Sequence, residues 1–127
     1  MIYHLDLLGV PFMWGGRTLA GMDCYGLCLE LARRDGVILP DAIWAEAPEE
    51  IEKIVNETEL KGFTKADKPQ PGDLVGFMLR PPFVSHIGYM VSEYEFIHVT
   101  KGTRVTRERL DSLQWNRKIA GFYRWIK

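Results

Sequence analysis

Cys24, His86 and His98 are of residue types that can make and break an acyl bond together. A thiol attacks only as its anion, and a free cysteine, with a pKa of roughly 8.5, is mostly protonated at neutral pH. Cys24 lies where that balance can change. The stretch Asp23-Cys24-Tyr25-Gly26-Leu27 follows a segment punctuated by Pro and Gly. It opens an apolar pattern, Cys24, Leu27, Cys28 and Leu31, at helical three-and-four spacing. Cys24 is therefore expected at a helix start with its side chain inward, where unpaired N–H groups and the helix dipole favour a thiolate. His86 and His98 fall on neighbouring expected strands. Alternation places His86, Gly88 and Met90 on one face of the first, and Phe96 and His98 on one face of the next. If both faces turn toward the helix, the set comprises a nucleophile, a base, and a group that orients the base. Gly88 would leave room beside His86 for a substrate or for close approach of the helix.

The elements that must position these residues can be read in order. Residues 2–8 form a short helix or extended lead-in, and residues 9–22 a loop delivering the chain to Cys24. The helix runs to about Arg34, where Arg33 and Arg34 suit its C-terminal turn, and stops before Asp35-Gly36. An apolar connector, residues 37–40, follows. Residues 45–59, rich in Ala and Glu with Pro48 near the start, read as a helix with a solvated acidic face. Strands are expected over 73–79, 86–91, 96–100 and 103–106, the last two joined across Lys101-Gly102. A short helix at 107–113 and a strand at 119–126 complete the chain. Helix first and antiparallel sheet afterwards define an α+β domain.

Size and charge narrow the function. The 127 residues suit one domain, residues 1–127, and 46% hydrophobic content suits a folded core. A net charge of −1 gives no field to draw the chain onto nucleic acid or anionic lipid. No apolar run approaches the length of a membrane span, and the N-terminus lacks the basic region of a secretory signal, so synthesis without export is expected. Cys24 and Cys28, four apart on one helix, would close only a tiny disulfide loop. With the two histidines they do not match the usual zinc spacings, so no metal or cofactor is expected. Cys28 reads as a buried thiol.

Taken together, these motifs resemble the NlpC-type cell-wall peptidases. The resemblance rests on GVPFMWGG at 9–16, Asp23-Cys24-Tyr25-Gly26-Leu27, and Pro71-Gly72-Asp73-Leu74-Val75. It extends to Ser85-His86-Ile87-Gly88-Tyr89-Met90 and Phe96-Ile97-His98-Val99, leaving residues 41–70 unmatched. It implies a compact papain-like fold, with the helix bearing Cys24 packed on an antiparallel sheet bearing the histidines. It also implies a cysteine endopeptidase that cuts peptidoglycan stem peptides, commonly between the γ-carboxyl of D-glutamate and a diamino acid. Cys24 would attack, His86 would serve as base and His98 would orient it, with Asp23, Tyr25, Phe12 and Gly88 around the substrate. Asp23 reads equally as a helix cap or as the partner of a stem-peptide amine. Many members carry tyrosine where this chain has Phe12, and serine where it has Tyr25. An aromatic residue after the cysteine and a Leu39-Pro40 ending to the connector are similar to phage tail members, whose partners would be other tail proteins. The alternatives are a non-catalytic tail module, or an amidase or acyltransferase of the same fold.

Overall fold

A computed structural model describes residues 4–41, 62–79 and 84–126. After turns at 5–9, the chain forms a small antiparallel hairpin, β1 (Arg17–Thr18) with β2 (Gly21–Met22), and then α1 (Cys24–Arg34). A six-stranded sheet follows from β3 (Phe63–Ala66), β4 (Leu74–Phe77), β5 (His86–Met90), β6 (Glu95–His98), β7 (Thr106–Arg109) and β8 (Ile119–Trp125). Its order is β3-β8-β4-β5-β6-β7, with every neighbour antiparallel. A 3₁₀ turn at Asn116–Lys118 leads into β8. This is the α+β arrangement expected, one cysteine-bearing helix on a histidine-bearing sheet.

The helix is pinned at both ends. Asp23 caps its start by accepting from the Gly26 N–H at 2.7 Å, worth about 1 kcal/mol. At the other end Gly36 takes φ +84°, which lets the Val37 N–H reach the Ala32 carbonyl and the Gly36 N–H the Arg33 carbonyl. The Tyr89 hydroxyl then donates to the Asp35 carboxylate, tying the helix end to β5. Between the ends, Leu27, Cys28 and Leu31 are fully buried in one cluster with Leu74, Ile87, Tyr89, Ile97 and Tyr123. Each buried leucine contributes about 1.5–3 kcal/mol. The exposed Arg33–Glu30 pair is screened by solvent and contributes little, so packing holds α1 in place. Leu27→Ala should lower unfolding free energy by about 2–5 kcal/mol in urea titration, whereas Arg33→Ala should leave it nearly unchanged.

Four sequence expectations change. Residues 9–22 contain the β1–β2 hairpin, whose Leu19-Ala20 turn carries no Gly or Asn signal. Residues 107–113 are not helical: β7 runs through Arg109 as an edge strand, and the helical turn comes later, at 116–118. Its Thr-Arg-Glu-Arg composition masks the strand, and such charge is what protects a sheet edge. Strand β3 lies in the part of the chain with no matched motif and pairs with β8, Phe63 opposite Trp125. The helix expected at 45–59 lies outside the described residues.

The fourth change concerns the faces of the sheet. The histidines share a face, as alternation requires, but α1 packs on the opposite one. Ile87, Tyr89 and Ile97 meet the helix. His86 and His98 stand among Phe77, Phe96 and Trp115, which belong to a second buried cluster.

Candidate active site

Cys24 is the first residue of α1, and its place is set by the Asp23 carboxylate beneath it. That carboxylate is fully buried. One oxygen accepts from the Gly26 N–H and from the Arg17 guanidinium at 2.9 Å, the other from the Gly15 N–H at 3.0 Å. Both oxygens are thus engaged within the protein, and the geometry gives Asp23 the capping role. Gly26 is required by close approach, since a Cβ there would stand 2.2 Å from the Gly16 carbonyl oxygen. Arg17 also bonds Asp41, so it joins the hairpin, the helix start and the connector rather than lying free on the surface.

The sulfur meets the sheet beside the end of the ladder between β5 and β6. Their register covers Tyr89 opposite Ile97 and Met90 opposite Phe96. Before that ladder begins, the Ile87 N–H is turned to the Cys24 sulfur. The thiol therefore meets β5 at the Ile87 N–H, one residue along the strand from His86.

From His86 a polar chain runs across the sheet toward its edge strand. Its Nε2 lies 2.8 Å from His98 Nδ1, and His98 Nε2 bonds the Glu108 carboxylate on β7. Apolar rings confine both imidazoles: Phe77 stacks on His86 with centroids 5.6 Å apart, and Trp115 meets His98 edge-on at 4.6 Å. Glu108 escaped the sequence reading because residues 107–113 looked helical. Read as a strand paired with β6, the same residues place Thr106 and Glu108 opposite His98 and Phe96, on the histidine face.

Three residues expected around the substrate make contacts within the protein. Tyr25 is 1% exposed, and its hydroxyl donates to the Pro40 carbonyl, so it ties the helix start to the connector. The space beside Gly88 is taken by neither substrate nor helix: a Cβ there would meet the Phe96 ring at 3.0 Å and His98 Cβ at 3.3 Å. Gly88 thus lets β6 bring His98 up to His86. Phe12 is half-buried, its ring edge-on to Trp14 at 4.9 Å. It offers no hydroxyl, so any donor from that position is absent.

Electrostatics correct the expectation of a resting thiolate. Burial pushes the Cys24 thiol up to about 12, and the Asp23 carboxylate adds to the rise. The N–H groups of Ile87, Tyr25 and Cys24 itself pull the other way without overcoming the loss of solvent. Burial, with His98 alongside, holds His86 well below the usual histidine range. His98 is also lowered by burial, against the opposing pull of Glu108. Burial thus favours the neutral form of both the Cys24 thiol and the His86 imidazole. Among the described residues, no three His, Cys, Asp or Glu side chains converge as metal ligands.

These depressed values set a pH dependence of stability. Above an unfolded histidine pKa of roughly 6.5 both states are neutral and nothing is lost. Below it the unfolded chain binds protons that folded His86 and His98 refuse, so stability falls as pH drops from about 6.5 toward the folded values. Each histidine contributes at most about 1.4 kcal/mol per pH unit. Urea titrations at pH 7.0, 6.0 and 5.0 should show a loss that shrinks in His86→Gln.

A thiol at a helix start and a pair of imidazoles on the strands it packs against, in an α+β domain, are the residue types of a cysteine hydrolase. The chain matches the NlpC/P60 family over residues 9–124, and it belongs to that family of cell-wall cysteine peptidases. It is 29% identical over 114 residues to "Probable endopeptidase NlpC" of Escherichia coli (strain K12), across 87% of this chain and 66% of that protein. It is 27% identical over 124 residues to "Probable peptidoglycan endopeptidase LytE" of Bacillus subtilis (strain 168), across 94% of this chain and 31% of that one. The chain therefore spans less than two thirds of either relative's length. In fold it is similar to a crystal structure of an NlpC/P60 family protein from Bacillus cereus ATCC 10987, with a TM-score of 0.69 at 21% identity, covering 95% of this chain and 37% of that one.

Proposed function

We propose that this domain hydrolyses an amide bond in peptidoglycan stem peptides through Cys24, with His86 as base and His98 as its orienting partner. The observation that carries the reading is the chain from the Cys24 sulfur at the His86–Ile87 peptide, through His86 and His98, to Glu108. The names of the two curated relatives, an endopeptidase and a peptidoglycan endopeptidase, support the substrate class.

In the reaction, His86 Nδ1 takes the thiol proton as the sulfur adds to the amide carbonyl. His86 Nε2 is already engaged with His98, which leaves Nδ1 for this step. The oxyanion develops beside the first turn of α1, where the Cys24 N–H is the natural donor. Collapse expels the amine, which takes the proton back from His86 and leaves a thioester on Cys24. Water, deprotonated by His86, then releases the acid and restores the thiol.

The bond between D-glutamate and the diamino acid is the preferred cleavage point on family resemblance. The support for a tail-associated role is narrower: Tyr25 after the nucleophile and the Leu39-Pro40 ending of the connector. In the structure these two features touch, through the Tyr25 hydroxyl on the Pro40 carbonyl. Mass spectrometry of defined muropeptides incubated with the purified chain tests the reading. Products cut at the D-glutamyl bond support it, and intact muropeptides in the presence of folded protein would count against it.

A further inference from the structure

We propose that Glu108 is a positioning residue that sets which nitrogen of each imidazole carries the proton, so that His86 presents a bare Nδ1. The inference rests on the Cys24–His86 reading above and gives Glu108 a role that the reading does not assign.

The argument is one of donors and acceptors. A neutral imidazole has one N–H and one bare nitrogen. Two imidazoles joined from His86 Nε2 to His98 Nδ1 can therefore share their protons in two ways. In the first, His86 Nε2–H donates to His98 Nδ1, His98 carries its own proton on Nε2, and His86 Nδ1 is bare. In the second, His98 Nδ1–H donates to His86 Nε2, His98 Nε2 is bare, and His86 carries a proton on Nδ1. Only the first leaves a base for the thiol. Taken alone, the pair does not choose between them.

Glu108 chooses. An ionised carboxylate only accepts hydrogen bonds, and this one lies on His98 Nε2. In the second pattern that contact would set a bare ring nitrogen against a carboxylate oxygen, two acceptors with no proton between them. In the first, His98 Nε2–H donates to it. The proton on His98 Nε2 leaves Nδ1 bare, Nδ1 accepts from His86 Nε2–H, and His86 Nδ1 is freed. The imidazoles do not escape by rotating, because Phe77, Phe96 and Trp115 pack against them and both histidines are buried. The register places Glu108 opposite Phe96, on the histidine face, from where its carboxylate bonds His98 Nε2.

Glu108→Gln tests this, because its amide can either accept or donate and so removes the choice while keeping size and shape. Two measurements on the whole chain are made together: imidazole nitrogen signals by ¹⁵N NMR near neutral pH, and kcat and KM on a defined stem peptide. The wild type is expected to show both His86 and His98 as Nε2–H. In Glu108→Gln a fraction should move to Nδ1–H, with kcat down about 10- to 100-fold, KM little changed and the melting temperature retained. Glu108→Leu should behave in the same way. A wild-type His98 protonated on Nδ1 would overturn the proposal, as would unaltered nitrogen signals and kcat in Glu108→Gln. A loss of stability with tautomers and kcat unmoved would mark Glu108 as merely structural. If the folded wild type cleaves no stem peptide, the peptidase reading is what fails, and the nitrogen signals alone judge Glu108.

Discussion

Cys24→Ala should lower stem-peptide turnover by about 10⁴-fold or more while leaving the domain folded, because it removes the atom that forms the acyl bond. The side chain contributes little else that alanine lacks. It packs as a small apolar group in the cluster under α1, and the Asp23 cap that fixes the helix start is a separate interaction. Near-unchanged melting together with lost turnover is therefore the expected pairing, checked by calorimetry and a product assay on the same preparation. Cys24→Ser should keep an acceptor for the Ile87 N–H yet fall nearly as far, since a hydroxyl is a far weaker nucleophile than sulfur at neutral pH.

His86→Gln carries the second large effect, an expected loss of about 10²–10⁴-fold in kcat. Glutamine can occupy the polar position next to His98 but cannot cycle a proton between thiol and leaving amine. The pH profile of the wild type distinguishes this role from a structural one. Catalysis needs His86 unprotonated, and burial holds its pKa well below the usual range. Activity should therefore persist as pH falls through about 6.5 and decline only lower, as His86 gains its proton, even though stability has begun to fall. A kcat/KM that halves at pH 6.5 or above would mean that solvent reaches the imidazole during turnover. Steady-state rates from pH 5 to 8, corrected for the folded fraction at each pH, make the measurement.

Much of this site was legible in the sequence, for physical reasons that differ by residue. Cys24 could be placed at a helix start because Asp23 can cap, and because Leu27, Cys28 and Leu31 repeat at helical spacing. His86 and His98 could be placed on adjacent strands because apolar residues alternate around them. Alternation states which side chains share a face, but it does not state which face a distant helix will choose. So α1 came out on the Ile87–Tyr89–Ile97 side, where the Ile87 N–H meets the Cys24 sulfur.

Glu108 was hidden by composition. A run of Thr, Arg and Glu has no apolar alternation to mark a strand, and only pairing with β6 reveals it. The thiol's protonation was misjudged because helix position is visible in a sequence while the depth of burial is not. Desolvation proved the larger effect. Tyr25 shows the same limit: its identity is plain, but its hydroxyl bond to Pro40 depends on how the connector returns across the helix start.

The central claim, that Cys24 carries the acyl group, is tested most directly by acid-quenched mass spectrometry of the intact protein during turnover of a defined stem peptide. Proteolytic mapping would then locate any adduct. The account predicts a mass increment equal to the acyl half of the substrate, on Cys24 and absent from Cys24→Ala. Undiminished cleavage by Cys24→Ala would contradict it.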